Sequence, residues 1–378
     1  MKKIKFNTPH ITGKELFYIK DVFKENQFYG VGKYTSKCET LIKKIISSKN
    51  VLLTDSCTSA LEITALIIKK TKLDEVIMPS YTFTSTASAF LKAGFKVKFV
   101  DIDPLTGMIN PNNIEKIINK NTRAIVVVHY GGLVAQIKEI KKITLKYKLA
   151  LVEDAAQSFN SFLKNKAVGT FGDFGCYSFH ETKNLHAGMS GALVVKDLKN
   201  FNRSTHIRER GTNRNDVLKG LSKKYSWVEI GGSFYPTELQ AAFLYAQLNY
   251  IKKNTLKRKT LFERYGHNLR DLMNKKKIFF NDLDKDYKSN FHAFFILVKN
   301  KIEKENLIKY LLKKKINSYI GYVPLHSSRV GIKFGLNKNK LPQTDLFSNN
   351  IIRLPMHNNM TLKDIDFTCK NILRFYEI

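Results

Sequence analysis

The chain has 378 residues, of which 43% are hydrophobic and 25% are charged, a balance typical of a soluble globular protein with about two domains. Its longest apolar runs are far too short to span a bilayer, which argues against an integral membrane protein. The formal net charge is +32, but the lysines are scattered over almost every segment, without an RNP-like aromatic pattern or zinc-finger spacing, which argues against a nucleic-acid-binding protein.

Apolar, β-rich segments alternate with helical patterns through the first half of the chain. This alternation predicts an α/β fold with a mostly parallel sheet covered by helices on both faces. The predicted strands cover residues 51–54, 75–79, 96–101, 123–130, 149–153, 175–179 and 191–195. The predicted helices between them cover residues 58–70, 84–92, 114–119 and 138–147. Ligands in such sheets bind beyond the carboxyl ends of the strands, where Thr54, Ser80, Asp154 and Ser178 fall.

The second half of the chain predicts a smaller unit. Apolar residues recur at helical spacing from residue 237 to about residue 274, which indicates a long connecting helix. Strands at 292–298 and 318–322, helices at 304–315 and 362–375, and a polar loop at 337–340 follow. We therefore expect a large domain with an N-terminal arm over residues 1–250 and a small α+β domain over residues 251–378, with the connecting helix spanning the boundary.

The cysteines and the amino terminus bear on the compartment. The four cysteines are far apart and form no CxxC pair, which argues against a zinc site and against a disulfide framework. The basic start of the chain has no apolar region behind it, unlike a signal peptide. These features predict a cytoplasmic protein without a structural metal.

Lys183 and Asp154 are the most informative pair of residues. A lysine can hold an aldehyde cofactor as a Schiff base, and a carboxylate at the end of an earlier strand can keep the ring nitrogen of that cofactor protonated. Together they suggest pyridoxal phosphate (PLP), whose ring accepts electrons only while its nitrogen carries the proton. On residue type alone, a lysine past a strand end is more often solvated surface.

Two segments could bind a phosphate. Residues 54–62 follow a strand and open a helix, and such a junction presents free backbone N–H groups and hydroxyls, among them that of Thr58. An ordinary helix start, with Ser59 and Glu62 as a capping box, explains the same residues. The hydroxyl of Ser178, five residues before Lys183, could reach the same phosphate, although a turn serine is the plainer interpretation.

Two further side chains could contact a flat ring. Phe83 could stack on it, although most phenylalanines belong to the core. Gln157 lies one helical turn past Asp154 and could face a phenolic oxygen, although glutamine at a helix start is often on the surface.

Five segments of the chain resemble one enzyme family in their order and spacing. They are Pro79-Ser-Tyr-Thr-Phe83, Val152-Glu-Asp-Ala-Ala-Gln157, Ser178-Phe-His-Glu-Thr-Lys-Asn184, Arg210-Gly-Thr-Asn-Arg214 and Glu238-Leu-Gln-Ala-Ala242. The chain is thereby similar, from about residue 30 to residue 378, to the sugar-nucleotide aminotransferases of the DegT/DnrJ/StrS type. The combined match is highly specific, although each segment alone is a weak signal.

The resemblance implies a fold, a cofactor and a set of roles. It implies the type I, aspartate-aminotransferase-like PLP architecture and an obligate homodimer whose active sites lie at the subunit interface. Lys183 would be the Schiff-base lysine and the acid and base of the proton shift, and Asp154 would pair with the pyridinium nitrogen. Phe83 would stack on the ring and Gln157 would lie near its phenolic oxygen. The residues implied for the phosphate are Cys57, Thr58 and Ser178.

The resemblance also implies a reaction. It is the transfer of an amino group from L-glutamate to a nucleotide-linked keto-deoxysugar. The form of Ser178–Asn184, with Asp55-Ser-Cys-Thr58 upstream, implies dTDP-4-dehydro-6-deoxyglucose as the substrate and dTDP-4-amino-4,6-dideoxygalactose as the product, for a surface polysaccharide such as enterobacterial common antigen or O-antigen. Amination at C3, or of another sugar, is the alternative within the family.

The chain departs from the family pattern at two places, and two rival functions share the fold. Gly188-Met-Ser-Gly191 stands where Gly-Glu-Gly-Gly is common, and Ser233 stands where the family commonly places an asparagine that the second subunit contributes to the phosphate site. Sugar dehydratases of this fold carry histidine in place of Lys183. Non-catalytic PLP-fold regulators usually carry an added DNA-binding domain, for which 378 residues leave no room.

Overall fold

The computed structural model of the chain describes residues 3–283, 285–336 and 340–377. Except for Lys340, the predicted polar loop at 337–340 lies outside the described residues. The strands are β1 (Val51–Thr54), β2 (Glu75–Pro79), β3 (Lys96–Val100), β4 (Thr122–Val128), β5 (Ala150–Asp154), β6 (Phe162–Leu163), β7 (Lys166–Ala167), β8 (Phe174–Ser178), β9 (Gly191–Val195), β10 (Tyr287–Lys288), β11 (Phe295–Leu297) and β12 (Ile351–Arg353).

The α-helices follow the same chain order. They are α1 (Glu15–Glu25), α2 (Lys33–Ile46), α3 (Cys57–Ile68), α4 (Thr84–Lys92), α5 (Ile137–Lys146), α6 (Leu198–Arg208), α7 (Arg214–Leu218), α8 (Glu238–Asn249), α9 (Ile251–Asn274), α10 (Lys301–Lys313), α11 (Arg329–Lys333), α12 (Pro342–Asn350) and α13 (Leu362–Glu377). Within the described ranges, no helix is both long enough and apolar enough to cross a membrane.

A seven-stranded sheet in the order β1-β9-β8-β5-β4-β2-β3 forms the centre of the first half. The pairs β2–β3, β2–β4, β4–β5 and β5–β8 are parallel, whereas β9 is antiparallel to both of its neighbours. Only β9 therefore runs against the others, and the mostly parallel sheet predicted from the sequence is confirmed. The carboxyl ends of β5 and β8 consequently lie side by side at one edge of the sheet.

Helices cover both faces of this sheet, because successive residues of a strand point to opposite sides. Leu52 of β1 packs in one apolar cluster with residues of α3 and α4. Its neighbours Val51 and Leu53 pack in another cluster with residues of α2 and α8. The sequence of a strand that is buried on both faces is a nearly continuous apolar run, as it is here.

The second half of the chain has an apolar core of its own. Residues of α9, α10 and α13, such as Leu261, Leu307 and Ile372, pack together with β11 and β12. The predicted connecting helix is two helices, α8 and α9, which meet at Tyr250. We propose that the small domain begins at Ile251, since the core of the second half draws on α9 and not on α8.

Two predicted elements differ in the structure. Residues 114–119 form no α-helix but contain one short 3₁₀ turn, Glu115–Ile117, which follows another at Pro111–Asn113. So few residues before β4 cannot repay the cost of starting an α-helix. Residues 318–322 form no strand, and only Tyr319 pairs, with Arg353. Gly321, at a φ of +80°, takes the chain out of the extended conformation.

Candidate active site

A cleft of about 590 Å³ lies at the carboxyl ends of β5 and β8, where the first half of the chain meets the second. It brings together seven of the eight predicted site residues. They are Cys57, Thr58, Phe83, Asp154, Gln157, Ser178 and Lys183. The second half contributes Tyr319, Tyr322 and Arg353, which sequence reasoning did not single out.

Lys183 lies in the turn that follows β8. Its backbone N–H donates to the carbonyl of His180 at 2.8 Å, and the N–H of Glu181 donates to the carbonyl of Gly188 at 2.8 Å, so the loop is closed on itself. Removal from water lowers the pKa of the Lys183 ammonium to about 8, since burial disfavours the charged form. An amine with this pKa can accept and donate protons near neutral pH.

Asp154 ends β5 and is buried beside the cleft. Thr86 donates its hydroxyl to Oδ2 at 2.7 Å, and the backbone N–H of Ala156 donates to Oδ1 at 3.1 Å. Burial raises the pKa of the Asp154 carboxyl, and these two hydrogen bonds and the Lys183 charge oppose that rise. Both carboxylate oxygens are therefore held in place, and the group favours a cationic partner.

Thr86 was missing from the sequence predictions, although it lies one helical turn past Phe83, on the first turn of α4. Its hydroxyl is 2.8 Å from that of Thr82. Since the Thr86 proton is given to Asp154, Thr82 is the donor between the two hydroxyls. The spacing of Thr82 and Thr86, four residues apart at a helix start, was the signal available in the sequence.

Thr86→Val should reduce activity by roughly 10- to 100-fold, the value of one hydrogen bond to a charged group. The hydrogen bond lowers the pKa of Asp154, so its loss should raise that pKa and move the acid limb of the pH–rate profile to higher pH. Steady-state rates between pH 5 and pH 9 measure this shift. Thr86→Ser keeps the hydroxyl and should keep the wild-type profile; a Thr86→Val profile identical to wild type would contradict the role.

His129 and Glu153 form a second buried pair behind Asp154. The backbone N–H of Ala135 donates to His129 Nδ1 at 3.2 Å, so Nδ1 carries no proton and Nε2 donates to Glu153 at 3.0 Å. Glu153 also accepts the backbone N–H groups of Gly169 and Gly172 at 2.8 and 2.6 Å. The two neighbouring carboxylates thus have different roles. Asp154 faces the cleft, whereas Glu153 holds the loop that contains Gly169 and Gly172 against the sheet.

The first turn of α3 lies at another edge of the cleft. Ser56 is the N-cap and accepts the backbone N–H of Ser59 at 3.1 Å, so a capping box that starts at Ser59 is wrong. Thr58 donates its hydroxyl to Ser85 at 2.8 Å. At Gly191 an added Cβ would overlap the backbone nitrogen of Cys57, so β9 approaches this helix start as closely as only glycine allows. Such a first turn presents N–H groups to an anion.

The remaining predicted residues are placed as follows. Phe83 is 57% exposed on the cleft and is not a core residue. Gln157 is buried and not on the surface: its Oε1 accepts the N–H of Gly131 at 2.7 Å, and its Nε2 donates to the Tyr322 hydroxyl at 2.7 Å. Ser178 lines the cleft and accepts the N–H of His180 at 3.3 Å.

Ser233 alone lies outside the cleft. It is exposed and forms an isolated backbone bridge with Glu209. Its predicted role concerns the site of a second subunit, and that role stays a prediction.

Comparison with known proteins identifies the family. The model of the DegT/DnrJ/EryC1/StrS aminotransferase family matches residues 9–373. The chain is 30% identical to UDP-4-amino-4,6-dideoxy-N-acetyl-beta-L-altrosamine transaminase of Campylobacter jejuni, over 92% of this chain and 90% of that protein. It is 26% identical to GDP-perosamine synthase of Escherichia coli O157:H7, over 100% of this chain and 99% of that protein.

A solved structure agrees with this. The crystal structure of NtdA from Bacillus subtilis, with the cofactor PMP bound, superposes with a TM-score of 0.91 at 25% identity and covers 100% of this chain and 86% of that chain. The predicted aspartate-aminotransferase-like fold and the resemblance drawn from the motifs are confirmed. The chain belongs to the DegT/DnrJ/EryC1/StrS aminotransferase family.

Proposed function

We propose that the protein moves the amino group of L-glutamate to a nucleotide-linked keto-deoxysugar, with pyridoxal phosphate as its cofactor. The observation that carries this proposal is the convergence, in one cleft, of Lys183 with a pKa near 8 and the buried carboxylate of Asp154. When bound, the cofactor supplies an electron sink for the carbon that loses or gains a proton. The residues present fit that group at each of its polar ends.

Each part of the cofactor would have a partner among the residues of the cleft. Lys183 would hold the aldehyde carbon, and Asp154, with both oxygens fixed, would hold the protonated ring nitrogen. Cys57, Thr58 and Ser178 would hold the phosphate at the first turn of α3, where helix N–H groups favour an anion. Phe83 would stack on the ring face, and Gln157 would lie near the phenolic oxygen; both residues line the cleft.

Lys183 would carry the proton between carbon atoms. Its lowered pKa keeps a usable fraction of the amine neutral at pH 7. Nζ can therefore take a proton from the donor carbon and give it to another carbon. The Gln157 amide and the Tyr322 hydroxyl border the same cleft, and their mutual hydrogen bond joins the two halves of the chain across it. The lining of the cleft is largely apolar, which strengthens the electrostatic contacts inside it.

The finer assignment of substrate rests on the segment Ser178–Asn184. We propose dTDP-4-dehydro-6-deoxyglucose as the acceptor and dTDP-4-amino-4,6-dideoxygalactose as the product, made in the cytoplasm for a surface polysaccharide. Incubation of holoenzyme with L-glutamate and this sugar, followed by mass spectrometry and NMR of the product, tests it. A product aminated at C3, or conversion of another nucleotide sugar alone, would replace this substrate assignment. Either result would still support the proposed transaminase activity.

A non-catalytic regulator of the same fold is the rival. The dispersed lysines predict that DNA binding is weak, indifferent to sequence and steeply lost with salt. Tight, sequence-selective DNA binding at physiological salt, together with no transamination of any nucleotide sugar, would replace the enzyme by the regulator.

We further propose a homodimer in which the Arg210–Arg214 segment and the Ser233 region reach the partner's site. The observation in support is a loop of exposed apolar side chains nearby: Leu221, Trp227 and Ile230 are 75%, 78% and 68% exposed. Monomeric proteins rarely leave such a patch uncovered.

Trp227→Asp should therefore weaken the dimer by roughly 10- to 100-fold or more, since a buried interface tryptophan is often worth 2 kcal/mol or above. Sedimentation velocity over a concentration series measures the equilibrium. Leu145→Asp, at a side chain that is 67% exposed on α5, is the matched control and should change nothing. A wild-type protein that is monomeric and fully active would contradict the proposal.

A further inference from the structure

Among the described residues that line the cleft, three carry a formal charge: Asp154, Lys183 and Arg353. The proposed function employs the first two. Arg353 is left without a role, although it stands at the end of β12 and faces the same space.

The backbone of Arg353 is fixed. It exchanges both hydrogen bonds with Tyr319, at 2.9 and 2.8 Å, and it pairs with Phe295 of β11. The guanidinium lies over the ring of Phe6, 5.4 Å from its centroid. The strand pairing therefore fixes the backbone of Arg353, and the Phe6 ring supports its guanidinium. A binding residue needs support of this kind.

The guanidinium has no anionic or hydrogen-bonding partner among the described residues, and its Nε is buried. Removal of an N–H donor such as this Nε from water without a partner costs free energy that a structural residue normally avoids. Arg258 provides the contrast, since it is buried, whereas Arg353 is half-buried, and its guanidinium donates to the carbonyls of Phe291, His292 and Met356. Arg258 thus has a structural role that its contacts explain, and the contacts of Arg353 explain none.

An anion that arrives with a substrate would supply the missing partner. A guanidinium presents a planar fork of donors that matches a carboxylate with two parallel hydrogen bonds. The proposed phosphate site lies on the first turn of α3 and belongs to the first half of the chain, whereas Arg353 belongs to the second half. An amino-acid donor carries a carboxylate on the carbon that reacts at Lys183.

We propose that Arg353 binds a substrate carboxylate and that the amino donor supplies it; this rests on the proposed transaminase function. An acidic sugar is the other source of the same chemistry. Each of the three charged side chains of the cleft would then have a role in the donor step: Lys183 at the reacting centre, Asp154 at the ring nitrogen and Arg353 at one carboxylate.

The first test separates the two steps of the reaction. Holoenzyme is mixed with L-glutamate, L-isoglutamine, which lacks the free α-carboxylate, or L-glutamine, which lacks the side-chain carboxylate, and the change in cofactor absorbance is followed. Arg353→Met should lower kcat/KM for the preferred donor by roughly 10- to 100-fold, the value of hydrogen bonds to a charged group. It should also abolish discrimination between L-glutamate and whichever amide lacks the bound carboxylate.

Two further variants control for folding and for charge. Arg353→Lys keeps the charge but not the fork and should lose less than Arg353→Met. Arg374→Met, at an exposed arginine of α13, should match wild type. As a readout other than turnover, calorimetric binding of the inert dicarboxylate glutarate should weaken in Arg353→Met by a similar factor.

The outcomes separate the proposals. Unchanged donor kinetics and glutarate binding in a folded Arg353→Met protein would overturn the carboxylate site. A loss confined to the step with dTDP-4-dehydro-6-deoxyglucose, which has no carboxylate, would also overturn it. A loss confined to an acceptor with a carboxylate at C6 would support the site and assign it to the sugar. If wild type reacts with L-glutamate but with no nucleotide sugar, the proposed acceptor fails while Arg353 stands.

Discussion

Replacement of Lys183 by alanine is expected to lower transamination by at least about 10³-fold, since one residue would lose both its acid and its base role. No other lysine lines the described part of the cleft, so no neighbour can substitute for it. The cofactor should still enter through its phosphate and ring contacts, but it should dialyse away from the variant and not from wild type. Rapid-mixing kinetics with L-glutamate and dialysis against buffer measure the two effects.

Lys304 is a matched control for Lys183, because burial lowers the pKa of the Lys304 ammonium to about 8 as well. Its ammonium donates to the carbonyls of Ile320 and Ser348 at 3.2 and 2.6 Å, outside the cleft. Borohydride reduction of holoenzyme should therefore leave the cofactor on Lys183 and none on Lys304. An adduct on any other lysine would contradict the assignment, and an adduct on Lys304 would show that a low pKa, and not the position in the cleft, selects the residue.

The same pKa predicts a pH dependence. The free amine is the form that reacts with an aldehyde, and its fraction rises with pH until the pKa is passed. Capture of cofactor by the apoprotein should therefore rise up to about pH 8 and then level off. An ordinary lysine would keep gaining up to about pH 10.4. Stopped-flow absorbance from pH 6 to pH 10 distinguishes the two curves.

The strands of the large sheet could be predicted because they are buried on both faces. Continuous apolar runs such as Val51–Thr54 and Glu75–Pro79 gave strand bounds that the structure matches. The strand ends also located Asp154 and Ser178 at the cleft. Thr54 and Ser80 lie at strand ends too, but their hydroxyls bond to the Ser56 carbonyl and to His326 and do not line the cleft.

The contribution of the second half could not be predicted in the same way. Tyr322 and Arg353 lie far along the sequence from Lys183, and no local pattern connects them to it. Tyr319 and Arg353 meet through a single backbone bridge, which leaves no strand-length periodicity to read. Contacts between such distant residues depend on tertiary packing and not on local sequence preference. The helices α1 and α2 were also not predicted, although the buried residues Cys38, Ile42 and Ile46 of α2 recur at helical spacing.

Asp154→Asn is the second large effect we expect: a loss in turnover of about 10²- to 10³-fold, as for the removal of one preorganised electrostatic contact. Asparagine keeps the size of the side chain, and its one oxygen can keep the hydrogen bond from either Thr86 or Ala156, but not both, since these two donors bind different carboxylate oxygens. It carries no charge, so it no longer favours the protonated ring nitrogen. Because the electron sink is used only as the carbon loses its proton, the loss should appear in kcat far more than in cofactor affinity.

Glu153→Gln tests whether position or mere burial of a carboxylate is responsible. Glu153 is the neighbouring residue in β5, but its oxygens accept from Gly169, Gly172 and His129 and face away from the cleft. Its amide variant would set an N–H group against one of those donors and should lower the free energy of unfolding by about 1–3 kcal/mol in urea titrations. Turnover of the folded fraction should stay near wild type. If Asp154→Asn instead lost stability and kept its turnover, Asp154 would share the structural role of Glu153, and the ring-nitrogen assignment would be wrong.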